Sequence, residues 1–120
     1  VNASGRERDL AWLRERCPGL AFELADAALL ALQGPAAEAV LGTLAPDVRA
    51  LAFMQAAWCT LDGADALVVR SGYTGEDGFE IALPAAAAER IARQLLDHPE
   101  VKPVGLGARD TVRLEAGMPL

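Results

Sequence analysis

A chain of 120 residues holds one domain, or one domain with an appended segment, and its 52% apolar and 23% charged residues place it among soluble globular cores rather than disordered tails. The net charge of −6 excludes non-specific nucleic-acid binding, which needs a basic surface to displace counterions. No apolar run approaches the ~20 residues a bilayer requires, and Val1–Arg8 has no signal-peptide pattern, so a cytoplasmic protein without a membrane role is expected.

Lys102 is the only lysine, which weakens any mechanism built on a lysine Schiff base or a Walker-type phosphate lysine. Cys17 and Cys59 are too far apart for a metal motif, so two free thiols in a reducing compartment and no metal site are expected.

In chain order, Arg6 to Arg16 alternates charges around Leu10, Trp12 and Leu13 and predicts a short amphipathic helix, ended by Pro18-Gly19. Leu29-Leu30-Ala31-Leu32 is a continuous apolar run before Gln33-Gly34-Pro35, which fits a buried strand ending in a turn. Pro35 suits a first helical position, and Ala37, Val40, Leu41 and Leu44 then recur at helical spacing up to Pro46. Ala56 to Leu61 reads as a strand, Asp62-Gly63 as a hairpin turn, and Ala66 to Arg70 as the returning strand. Phe79 to Leu83 is a further strand, and Pro84 opens a helix whose face carries Ala88, Ile91, Ala92 and Leu95. Val101 to Val104 could form a last edge strand limited by Pro103, and Gly107 to Ala116 a final helix. Strand, helix, two or three strands, helix, strand is the order of a ferredoxin-like split β-α-β domain, class α+β. Three segments follow: 1–28 helical, 29–104 the ferredoxin-like domain, and 105–120 a C-terminal helix. Trp12 and Trp58 read as core or interface anchors, and His98 as an exposed residue at a helix end.

The run Ser71-Gly72-Tyr73-Thr74-Gly75-Glu76-Asp77-Gly78-Phe79-Glu80-Ile81 sets three glycines at three-residue spacing beside an aromatic and a carboxylate in an apolar strand. Glycines permit positive φ and close backbone approach. A phosphate cradle needs helix N-terminal amides behind the loop, and this loop leads into a strand. By alternation Glu80 either faces solvent or meets a partner rich in hydrogen-bond donors; Glu76 and Asp77 read as turn residues. Farther on, Arg109 and Arg113 lie one helical turn apart, a repulsive pair unless Asp110 and Glu115, or a bound anion, offset it.

Together the glycine run and Gly105-Leu106-Gly107-Ala108-Arg109-Asp110-Thr111-Val112-Arg113-Leu114-Glu115-Ala116-Gly117-Met118-Pro119-Leu120 resemble the T-protein family of the glycine cleavage system, the tetrahydrofolate-dependent aminomethyltransferases. The resemblance implies that Glu80 binds the pterin of tetrahydrofolate, that Tyr73 supplies an aromatic and hydroxyl wall, and that Arg109 joins the folate site while Arg113 is structural. Val1-Asn2-Ala3 is similar to a family segment bordering the same cavity, which adds Asn2. On this reading 1–28 is a remnant of a preceding folate-binding domain and 105–120 borders the folate site.

The family's principal catalytic aspartate lies upstream of Val-Asn-Ala, and a β-rich domain follows Leu120. The expectation is therefore an internal fragment with a binding wall, no catalytic residue of its own, no activity in isolation and a sticky or dimeric surface. The parent reaction takes an aminomethyl group from the lipoyl-carrying H protein, releases ammonia and passes the one-carbon unit to tetrahydrofolate. Related sarcosine and dimethylglycine oxidising enzymes resemble Tyr-Thr-Gly-Glu-Leu-Gly in the loop, where Asp77 stands here; tRNA-modifying relatives carry a Lys-Gly-Cys motif absent here. A non-catalytic folate-binding or ferredoxin-like regulatory module stays open as the alternative.

Overall fold

The computed structural model describes residues 3–119, so Asn2 lies outside the described residues. A 3-10 turn at Ala3–Gly5 leads into α1 (Arg6–Arg16), β1 (Ala27–Gln33) and α2 (Ala37–Leu44). A 3-10 segment at Pro46–Ala50 precedes β2 (Ala56–Leu61), β3 (Ala64–Val69), β4 (Gly78–Pro84), α3 (Ala85–Leu96) and α4 (Leu106–Glu115).

The strands form one four-stranded sheet in the order β1-β4-β3-β2, antiparallel throughout. Side chains alternate across the pleat, so each strand divides its residues between two faces. One face carries Leu32, Leu61, Ala66, Val68, Phe79, Ile81 and Leu83, all buried in the core beneath α2 and α3. Val40 and Leu41 of α2 and Ala87, Ile91 and Leu95 of α3 close that core from above. Phe79 and Ile81 are wholly buried, each worth roughly 1.5–3 kcal/mol relative to exposure. The other face bears Leu29, Ala31, Glu80, Ala82, Leu67, Val69, Ala56 and Trp58, with Leu29 64% and Trp58 73% exposed. This open face positions the site.

The expected α+β class holds, with helices over one side of a four-stranded antiparallel sheet. The path has its own particulars. β1 and β2, joined through α2, occupy opposite edges of the sheet, and β2, β3 and β4 follow one another as a meander. Residues 101–104, read as an edge strand, form none: Pro103 has no N–H to donate, and Lys102 and Val104 face outward. That segment instead runs beside the uncovered edge of β1 toward α4, with Val101 packed on the core. Neither tryptophan is in the core. Trp12 is 56% exposed on α1, and Trp58 points from β2 to the open face because its neighbours Cys59 and Leu61 take the inward positions.

The turn at Asp62-Gly63 has positive φ at both residues, the geometry that matches strand twist in a two-residue hairpin. Arg90 donates to the Asp62 carbonyl (2.8 Å) and pairs with its carboxylate, and Gln94 donates to Asp62 Oδ2 (2.9 Å), which fastens the hairpin to α3. His98 at the end of α3 meets Thr43 of α2, Nε2 to Oγ1, at 3.2 Å. Both cysteines are free; burial, and secondarily Asp47, pushes the Cys59 thiol pKa up.

Arg70 fixes the mouth of the glycine loop. Its Nε and Nη2 donate to the two oxygens of Asp77 (3.0 and 2.7 Å), Nη2 also reaches Glu38 (2.7 Å), and Nη1 donates to the Leu51 carbonyl (2.9 Å). The guanidinium carbon lies 5.5 Å from the centre of the Phe79 ring. Asp77 is therefore more than a turn residue: it is half of a forked ion pair joining the two ends of the loop. The Arg70 guanidinium holds the Asp77 carboxyl below the usual carboxylate range, and Asp77 and then Glu38 raise the Arg70 pKa.

Because the folded-state pKa of Asp77 is depressed, its contribution is full above the ordinary carboxylate pKa and disappears as pH falls through the folded value. Asp77→Asn should cost about 1 kcal/mol at neutral pH, a charged hydrogen bond discounted for the partial exposure of Asp77. Urea denaturation should show that difference unchanged from pH 7 to about pH 5 and shrinking below about pH 4. A difference that persisted undiminished in acid would refute the ion pair.

Candidate functional site

The centre of the open face is Glu80. In register it lies between Ala31 of β1 and Val69 of β3, so a carboxylate stands in an apolar wall. It is half-buried, and its Oε2 accepts a 2.5 Å hydrogen bond from the hydroxyl of Ser71, itself buried. Among the described residues Oε1 meets no donor.

Ser71 opens the glycine loop, and that loop is shaped by Gln33, the last residue of β1. Gln33 Nε2 donates to the carbonyls of Ser71 (3.0 Å), Phe79 (3.3 Å) and Leu32 (3.3 Å), and Oε1 accepts from Thr74 Oγ1 (3.2 Å). The amide fills the space that β-carbons would need at Gly72 and Gly78. Two of the three regularly spaced glycines are thus explained by close approach of a side chain. The third, Gly75, has φ +80° and faces Ala116 at the end of α4.

The loop therefore touches α4 twice. Beside the Gly75–Ala116 contact, Arg109 lays its guanidinium over Tyr73, 4.6 Å from the ring centre, within cation–π range. The Arg109 side chain is 47% exposed, and its Nη1 lies 3.6 Å from Asp110 Oδ1. Arg113, one turn on, is buried and turned inward: Nε faces Asp110 (3.4 Å) and Nη1 donates to the Met118 carbonyl (3.3 Å). Asp110 thus offsets the like-charge pair, and the two arginines diverge, one closing the helix end and one stacked on the loop.

Of the residues singled out in the sequence, Tyr73 and Arg109 are in direct contact, and Glu80 is tied to the same loop through Ser71. Gln33, Ser71 and Arg70 were not singled out. Gln33 left one signal: a polar side chain ending an apolar strand just before Gly34-Pro35, which must find donors and acceptors or be exposed. A cavity of about 490 Å³ runs along the free edge of β1, between α3, 101–104 and α4. Gln33, Thr74 and Arg109 line its polar end.

These features define a two-layer α+β domain whose uncovered sheet face presents a braced carboxylate beside an arginine–tyrosine stack. The chain belongs to the family described as the GCVT N-terminal domain, which matches residues 1–120. It is 49% identical over 123 residues to an aminomethyltransferase of Rubrobacter xylanophilus, covering 98% of this chain and 33% of that protein. The mitochondrial aminomethyltransferase of Canis lupus familiaris is 48% identical, across 98% of this chain and 31% of that one. The crystal structure of glycine cleavage system aminomethyltransferase T from Bartonella henselae superposes with a TM-score of 0.88 at 45% identity, covering 99% of this chain and 33% of its own. The chain thus spans about a third of the length of these relatives.

Gly75→Ala should strain a left-handed position and push against Ala116, costing about 1–2 kcal/mol in stability. Loosening of α4 should accompany it, read as faster amide hydrogen exchange over 106–116 than over β4; equal protection in variant and wild type would show that Gly75 does not dock the helix.

Proposed function

We propose that this chain forms the pterin-facing wall of a tetrahydrofolate-dependent aminomethyltransferase of the glycine cleavage system. The observation that carries the proposal is Glu80: a half-buried carboxylate in an apolar sheet face, braced on one oxygen and open on the other. The pterin ring of tetrahydrofolate presents an exocyclic amine beside a ring N–H. A carboxylate can accept both, and such charge-assisted pairs are strong and geometrically selective. The flat apolar neighbours Ala31, Val69 and Ala82 suit the ring's face, and the exposure of the sheet leaves room for it.

In this role Tyr73 supplies the aromatic side of the site, and Arg109, held by its stack on Tyr73, turns its planar fork toward an anionic or carbonyl group of the folate. Asn2, outside the described residues, is assigned to the same site on the family resemblance alone. The catalytic aspartate and the lipoyl-bearing H protein belong to the whole enzyme, in which the aminomethyl group leaves the lipoyl arm, ammonia departs and the one-carbon unit passes to folate. These 120 residues hold the acceptor in position, which is the proximity part of that reaction. By themselves they are expected to bind and not to turn over.

Calorimetric titration of tetrahydrofolate into the chain tests the assignment. Glu80→Gln should weaken binding about ten- to a hundredfold, the equivalent of one or two charged hydrogen bonds. Arg109→Lys keeps the charge, loses the fork and should weaken it about threefold to tenfold. A folded wild type that fails to bind, or binding indifferent to both variants, would overturn the proposal.

A further inference from the structure

We infer that Ser71 is a positioning residue that sets the ligand specificity of Glu80, an inference that rests on the pterin-wall reading above. Ser71 is held from three directions. Its carbonyl accepts from the Gln33 amide (3.0 Å), its side chain is buried, and its single hydroxyl proton is directed at Glu80 Oε2 (2.5 Å). A serine hydroxyl has one donor, so this bond fixes where the proton goes. Gln33 is anchored in turn by Thr74, so the loop tip, Gln33 and the Ser71 backbone are tied together on one side of Ser71 and the carboxylate on the other.

A glutamate on an open sheet face otherwise has three freely rotating torsions, and a ligand that ordered it would bear the entropy cost. The Ser71 hydroxyl removes that cost by holding the carboxylate plane in one orientation before a ligand arrives. It also occupies one lone pair of Oε2, leaving that oxygen's second lone pair and all of Oε1 as adjacent acceptors. An acceptor pair so oriented favours a ligand with two neighbouring N–H donors over one that offers a single donor. Ser71 need not touch the ligand.

The experiment measures affinity for two probes, tetrahydrofolate and its 2-desamino analogue, which lacks the exocyclic amine and keeps the ring N–H. Wild type, Ser71→Ala, Ser71→Thr and Ser71→Val are compared on the full chain, each checked for folding by circular dichroism. Ser71→Ala should weaken tetrahydrofolate about tenfold and the desamino analogue by less than about twofold, narrowing the ratio between them. Ser71→Thr, which keeps the hydroxyl, should restore the ratio, and the isosteric Ser71→Val should not.

Equal loss for both probes would mean that Ser71 only maintains the loop, and would overturn the inference. So would unchanged binding in Ser71→Ala while Glu80→Gln still weakens tetrahydrofolate, a result that leaves the pterin wall standing. Failure of both Ala and Val variants to fold would assign the hydroxyl to stability and overturn it as well. A wild type that binds neither probe overturns the pterin wall and this inference together.

Discussion

The side-chain amide of Gln33 lies beneath the loop joining β3 to β4, in space that β-carbons at Gly72 and Gly78 would otherwise occupy, and from there it bonds to Ser71, Thr74 and Phe79. A primary amide suits the position because it donates and accepts within one rigid plane, and the loop offers it both carbonyls and a hydroxyl. Buried loop backbone is costly when its polar groups find no partner. Here one side chain from a neighbouring strand supplies much of what a water layer would supply elsewhere. The loop can then be short, glycine-rich and close to the sheet, which brings Ser71 within reach of Glu80 and Tyr73 within reach of Arg109.

Around that amide the remaining contacts separate into anchoring and presentation. Arg70, gripping Asp77, Glu38 and the Leu51 carbonyl, joins the loop to α2 and to the stretch before β2. Arg113 closes the end of α4 inward. Arg109 and Glu80 remain partly exposed, each steadied by a neighbour. Among the described residues these two groups of opposite charge form no direct pair with each other.

The regular elements were largely legible because their periodicities are local. α1 falls at Arg6–Arg16 as expected, α2 starts two residues after Pro35, and the Asp62-Gly63 turn has the positive φ values its residues favour. Alternation also decided Glu80: Phe79 and Ile81 point inward, so Glu80 points out. Contacts between distant segments could not be read in this way. Gln33 and Ser71 are 38 residues apart, and nothing in either segment specifies the other. Asp77 resembled any polar turn residue until Arg70 was found beside it. Of the two readings of the tryptophans, only the core one fails: size favours burial in general, but Trp58 occupies an outward position of β2, where the pleat overrides composition. Likewise 101–104 has strand-like residues yet gains no partner strand.

The amide that organises the loop belongs to β1, an edge strand paired on one side only, to β4. The meander of β2, β3 and β4 can assemble from near neighbours, whereas β1 must close a separation of about fifty residues to reach its register, a slow and entropically costly kind of contact. As an edge strand, β1 can open locally without breaking any strand pairing but its own with β4. Fraying of β1 would withdraw Gln33 from beneath the loop while leaving the meander and its helix nearly intact. On the proposed pterin-wall role, recognition on the sheet face would then be lost before the fold itself, and ligand affinity would gauge edge-strand docking more sensitively than the melting temperature.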